Sequence, residues 1–158
     1  MAWMTTTRWL TPDEMHAWRA FAQVNGPLLA ALESDLTDHG LSLGDYEVLV
    51  LLSETTDHQM RMCDMSQHLG LSPSGLTRRL DGLVKAGYVE RLPSTADRRV
   101  MLATITRIGL DTMARAVPDH VASVRLHLID RLTPQQIEVL GTIFDNVGIG
   151  LGRTPAIP

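Results

Sequence analysis

The hydrophobic period of the chain changes at Gly87, and that switch limits the fold more than any other feature. Before it, Leu76, Leu80, Leu83 and Val84 recur at helical spacing and fall on one face. After it, Tyr88 to Leu92 and Val100 to Ile105 carry the β-branched and aromatic residues of strands. Pro93 to Arg99 is polar and forms the turn between them, so a helix passes directly into a hairpin. Ser72 can cap that helix, Pro73 suits its first position and Gly87 stops it. A shorter helix from Met62 to Leu69, stopped by Gly70, comes just before. Short helix, tight turn at Gly70-Leu71-Ser72, helix and hairpin together predict a helix-turn-helix with a wing.

Helices flank this segment. Thr11-Pro12-Asp13-Glu14 has the pattern of a capping box, with Leu10 and Met15 spaced as a hydrophobic staple. The helix it opens should reach about Asp38, with a kink at Gly26-Pro27. Ser42 caps a second helix through Ser53, and a loop rich in Thr, Asp and His follows. Thr106 starts a long helix to about Arg131, kinked at Pro118. Thr133-Pro134-Gln135-Gln136 repeats the capping pattern for a last helix to about Val147. The Gly- and Pro-rich end, including a flexible tail at 151–158, should be poorly ordered.

The chain has 158 residues, enough to bury a core as a single unit, and no apolar run approaches the roughly 18 residues of a membrane span. The N-terminal MAWMTTTRWL lacks the basic flank and apolar core of a signal peptide. Cys63 is the lone cysteine, so no internal disulfide or multi-cysteine zinc cage forms, and a cytoplasmic location without membrane association is expected. The net charge of −4 is unevenly spread. Arg61 to Arg107 holds eight Lys and Arg against four acids, a local +4, so the remainder carries −8. That asymmetry suits a module that meets phosphates.

On the fourth helix, the face opposite the leucines presents Ser74, Arg78, Asp81, Gly82 and Lys85, flanked by Thr77. A helix fits the major groove, where an arginine can bond guanine O6 and N7 together. The hairpin tip, Ser94-Thr95-Ala96-Asp97-Arg98-Arg99, is narrow and basic, as a minor-groove probe must be. Asp97 can orient a tip arginine or pair with one on the helix. Taken singly, each feature is also explained by a solvated helix face or an ordinary polar turn. No phosphate-binding glycine loop, nucleophile elbow, paired metal-binding histidines or kinase motif is present, so neither an enzyme nor a cofactor is expected.

The run from Leu71 to Thr106 resembles the central signature of the MarR family of bacterial regulators. The matching positions are Ser72, Ser74, Thr77, Arg78, Asp81, Leu83, Gly87, Val89, Arg91, Asp97 and Arg99. The resemblance implies a mainly α fold with a small β-hairpin wing (α+β), a winged helix-turn-helix with flanking dimerisation helices. It divides the chain into a DNA-binding module at 41–106 and a dimerisation region at 1–40 and 107–150. It implies a homodimeric regulator, a repressor, that binds double-stranded DNA at an inverted repeat. By the same likeness, Ser72, Ser74, Thr77 and Arg78 are major-groove contacts, and Arg99 is the wing arginine with Asp97 as its brace. Arg79, Lys85 and Arg98 complete the candidate DNA-binding set. Arg79 stands where the family has an apolar residue and Gly82 where it has an arginine, which bears on the operator sequence.

Two apolar stripes, Leu28-Leu29-Leu32-Leu36 and Ile137-Leu140-Ile143-Phe144, fit either intramolecular core or a dimer interface. Many relatives release DNA when a small aromatic effector binds. Trp18, His39 and Tyr46, near the junction of the first two helices, are the candidate ligand residues, with plain core as the alternative. Cys63 fits a buried small hydrophobe better than a redox sensor. No metal site is expected: the His58, Cys63 and His68 spacing is too loose, and His120 and His127 fit a solvent-facing helix surface. The competing function is a winged-helix protein-interaction module that does not bind DNA.

Overall fold

The computed structural model describes residues 7–152. In chain order these form α1 (Pro12–Thr37), α2 (Leu43–Ser53), β1 (Gln59–Arg61), α3 (Met62–Leu69), α4 (Pro73–Lys85), β2 (Val89–Pro93), β3 (Met101–Ile105), α5 (Arg107–His127), a 3-10 turn at Ile129–Arg131, and α6 (Pro134–Gly150). The fold is mainly helical with a small antiparallel sheet, a winged helix-turn-helix flanked by long helices.

The helix starts follow their capping residues. Thr11 Oγ1 accepts the Glu14 N–H at 3.2 Å, and the Glu14 carboxylate accepts the Thr11 N–H at 2.8 Å. Ser42 with Asp45 and Thr133 with Gln136 make the same reciprocal pair. Each box satisfies two backbone donors that a helix start otherwise leaves to water. Gly70 closes α3 in the left-handed region at φ 64°. The turn that follows is locked by the buried Ser66 hydroxyl, which donates to the Leu71 carbonyl at 2.6 Å.

The sheet differs from the expected two-stranded hairpin. β1, in the segment read as a loop, pairs antiparallel with β3 through Gln59↔Thr104, Met60↔Ala103 and Arg61↔Leu102, giving the order β1-β3-β2. Three residues are too short to show alternation, so the strand is set by its partner rather than by its own pattern. As expected, α1 and α5 run through the prolines at 27 and 118 without ending. Each proline frees the carbonyl four residues back. Gln23 and Ala114 are exposed, so water can take up that acceptor. α6 continues through Gly148 and Gly150, and the positive φ that stops it comes at Gly152. The predicted tail lies outside the described residues from 153 onward.

The core sits under the helix-turn-helix. Leu49 and Leu52 of α2, Met65 of α3, Leu76 and Leu80 of α4, and Val89 and Ala103 of the sheet are all at or below 1% exposure. Leu36 of α1 and Ala116 of α5 join the same cluster and tie the long helices to it. α6 is different in kind, for none of its residues is buried. Ile137, Ile143 and Phe144 are exposed, so that stripe is not intramolecular core.

Candidate nucleic-acid interface

The apolar face of α4 is buried through Leu76, Leu80 and Leu83, which turns the opposite face outward. Ser72, Ser74, Thr77, Arg78, Asp81, Gly82 and Lys85 are exposed there. Ser72 Oγ accepts the Gly75 N–H at 3.1 Å, and the Ser72 and Ser74 hydroxyls share a hydrogen bond of 3.2 Å. The Thr77 hydroxyl donates to the Pro73 carbonyl at 2.9 Å. Among the described residues Arg78 and Lys85 have no hydrogen-bond or ion-pair partner.

The wing follows α4 directly and is tied to its exposed face through Arg91. β2 and β3 pair from Val89↔Ile105 to Pro93↔Met101, and the Ser94 N–H to the Val100 carbonyl, 2.8 Å, closes the tip. Asp97 Oδ1 accepts the backbone N–H of Arg99 at 3.0 Å. It therefore shapes the turn through the main chain rather than by pairing with a helix arginine. The Arg98 and Arg99 side chains are exposed and have no partner among the described residues. The base of the wing is held on both sides. The Thr106 hydroxyl caps α5 at Gly109 and donates to the Gly87 carbonyl at 2.7 Å, while the Thr106 N–H reaches Tyr88 O at 2.9 Å. Gly109 permits this approach: a Cβ there would lie 2.3 Å from Tyr88 O.

Pairing sorts the basic residues. Arg61 is bound to Asp64, Arg91 to Asp81 and Arg107 to Asp111. Among the described residues Arg78, Lys85, Arg98 and Arg99 lack such partners and lie on α4 and the wing tip; Arg19 also lacks one and lies on α1, away from both. Arg79 is set apart from them. Its guanidinium lies directly over Gly44 in the first turn of α2, where a Cβ would meet Nη1, and its Nε is buried without a partner. Sequence reading placed Arg79 with the others because adjacency in sequence hides the 100° turn between neighbours on a helix. It also left Arg91 as a signature position only. Arg91 Nη1 donates to Asp81 at 2.7 Å and Nη2 to the Thr77 carbonyl at 2.8 Å.

The three candidate ligand residues are not brought together. Trp18 is half-exposed beside Phe21, about 30 Å up α1 from His39 at 1.5 Å per residue. His39 Nε2 lies 2.7 Å from Asp119 Oδ2, and the Tyr46 ring packs 4.5 Å from His120, so these two meet adjacent positions on α5. Burial raises the Tyr46 phenol pKa. Burial also lowers the His120 pKa, against a smaller opposing pull from Asp35. His120 is thus half-buried rather than solvent-facing, because α2 covers it. A cleft of about 260 Å³ opens beside them between α1 and α5, lined by Asp35, Asp38, Asp119, Ala122, Ser123 and Leu126. Cys63 is exposed, not buried, and its thiol lies 3.3 Å from Asp64 because Met65, two positions on, takes the inward place. Among the described residues no helix is long and apolar enough to cross a membrane.

Comparison with known proteins gives one consistent set. The MarR family model matches residues 41–101. AbsC from Streptomyces coelicolor, a MarR family transcriptional regulator, is 41% identical with a TM-score of 0.87, covering 92% of this chain and 98% of that one. Sco3205 from the same organism, a MarR family regulator solved in complex with DNA, is 32% identical with a TM-score of 0.89, covering 93% and 92%. The transcriptional repressor YetL of Bacillus subtilis (strain 168) is 25% identical over 121 residues, 75% of this chain and 72% of that one. These relatives are transcriptional regulators, not enzymes.

Proposed function

The chain belongs to the MarR family of transcriptional regulators, and we propose that it is a cytoplasmic repressor that grips an inverted-repeat operator as a homodimer. The observation that carries this reading is the placement of the unpaired cations. Arg78 and Lys85 on α4, and Arg98 and Arg99 at the wing tip, are exposed on adjoining elements while neighbouring arginines are neutralised. Unpaired guanidinium groups are free to bind phosphates and base edges. In this reading Ser72, Ser74, Thr77 and Arg78 meet the major groove, and Arg99 enters the minor groove on a tip shaped by Asp97 and flanked by Arg98. Lys85 meets the backbone, and Arg79 acts from behind, against α2. The module at 41–106 binds DNA, and the regions 1–40 and 107–150 assemble the dimer.

The apolar surface left uncovered supports the dimer. Trp18, Phe21 and Val24 on α1 and Ile137, Ile143, Phe144 and Val147 on α6 are all exposed. A lone helix the length of α6 is marginal in water, so its stability comes from packing against something. A second copy supplies a matching apolar face, and the two-fold axis then spaces two α4 helices about one turn of DNA apart. A small aromatic effector entering beside His39 and Tyr46 would bear on α1, α2 and α5 together and release the operator.

The test is footprinting on the DNA upstream of the chain's own gene, followed by affinity measurements on the protected duplex. Arg78→Ala and Arg99→Ala should each weaken binding by about 1–3 kcal/mol, the worth of a good bidentate base contact. Unchanged affinity in both variants would instead support the protein-interaction reading.

A further inference from the structure

We infer that Arg91 is a positioning residue that sets the angle of the wing against the recognition helix, and so the span between major-groove and minor-groove contacts. The inference rests on the DNA-binding reading above and extends it to a residue that faces the protein. Arg91 lies at the middle of β2, paired with the buried Ala103. Its guanidinium forks onto α4, with Nη1 to the Asp81 carboxylate at 2.7 Å and Nη2 to the Thr77 carbonyl at 2.8 Å. Thr77 and Asp81 are one helical turn apart, so the planar fork grips a full turn of the helix and fixes direction as well as distance. Its Nε has no hydrogen-bond partner, so the two α4 bonds alone orient the group.

The mechanics follow from what lies on each side. Toward the core, the hairpin is anchored by Val89 and Ile105, and Gly87 at φ 75° forms the corner between α4 and β2. Toward the tip, Leu92, Pro93 and Met101 are exposed, and only the cross-strand pairs Leu92↔Leu102 and Pro93↔Met101 continue the hairpin. Arg91 stands between these halves, about 13 Å along the strand from the Gly87 corner at 3.3 Å per residue. Without it the outer hairpin pivots, and the displacement grows toward Arg99. The same contact neutralises Asp81, the acid on a face that otherwise presents hydroxyls and cations.

The experiment is a double-mutant cycle on a duplex selected by the wild-type protein from a randomised pool. The variants are Arg91→Met, Arg99→Ala and their combination, with Asp81→Asn as a second way to cut the strut. Arg91→Met should weaken binding about tenfold. Arg99→Ala, costing about tenfold alone, should cost less than about threefold once Arg91 is gone, because a misplaced wing no longer delivers its arginine. Asp81→Asn should reduce the cost of Arg99→Ala in the same direction. Arg91→Lys reaches only one acceptor and should restore affinity partly. A general structural weakening would lower affinity without changing what Arg99 is worth. Equal costs of Arg99→Ala in all backgrounds, or wild-type affinity for Arg91→Met, overturns the inference. If Arg78→Ala still loses binding in that case, the DNA reading stands and the strut alone fails. A wild-type protein that selects no duplex overturns both.

Discussion

Adding one methyl group at Gly109 and one at Gly82 should move stability in opposite directions. Both residues lie within helices, where alanine is favoured over glycine by about 1 kcal/mol. At Gly82, on the outer face of α4, a Cβ meets nothing within 4 Å, so Gly82→Ala should stabilise by up to about 1 kcal/mol. At Gly109 the new carbon would sit 2.3 Å from Tyr88 O and 2.9 Å from Ile105 Cγ1. The carbonyl cannot retreat freely, for it holds the Thr106 N–H at 2.9 Å and the Thr106 hydroxyl at 3.2 Å. Overpacking of this kind costs about 1–3 kcal/mol, and each weakened hydrogen bond about 1 kcal/mol more. After the helix-propensity gain is subtracted, Gly109→Ala should destabilise by roughly 2–4 kcal/mol. Urea unfolding at matched protein concentration, followed by circular dichroism, measures both variants against wild type. The midpoint should fall for Gly109→Ala and rise for Gly82→Ala with unchanged m-values. A Gly109→Ala protein as stable as wild type would refute the claim that α5 and the wing base meet through that glycine.

Two further outcomes are expected. Phe144→Glu places a charge on the uncovered face of α6, so sedimentation should show a shift from dimer to monomer; an unchanged dimer would place the interface elsewhere. The depressed pKa of His120 means the unfolded chain binds more protons near neutrality, so stability should rise with pH across the window just below about 6.5. His120→Phe should flatten that slope in urea midpoints taken across the window, and a slope equal to wild type would assign the dependence to another group.

Much of the architecture was legible because local signals agreed with one another. Ser42, Ser72, Thr106 and Thr133 each cap the helix that the pattern predicted, and Gly70 stops α3 where the turn requires it. β1 was hidden because three residues have no period and depend on β3 for pairing. The helices run on through Pro27 and Pro118, whose freed carbonyls at Gln23 and Ala114 are exposed to water. Within the candidate site, the helix wheel located Arg78 and Lys85. It could not show that Arg79 folds back over Gly44, since that depends on where α2 packs. Nor could it show that Arg91 braces α4, a contact between elements. His39 and Tyr46 were drawn toward one another by α5, whereas Trp18 stayed distant because the first helix is unbroken.

The central claim is that the face bearing Arg78, Lys85, Arg98 and Arg99 lies against duplex phosphates and bases, and the salt dependence of duplex affinity tests it most directly. The observed binding constant should fall steeply with added salt, and replacing Lys85 with glutamine should lower the log–log slope by about 0.9, one released counterion. A slope that stays the same after all four cations are neutralised would contradict the account.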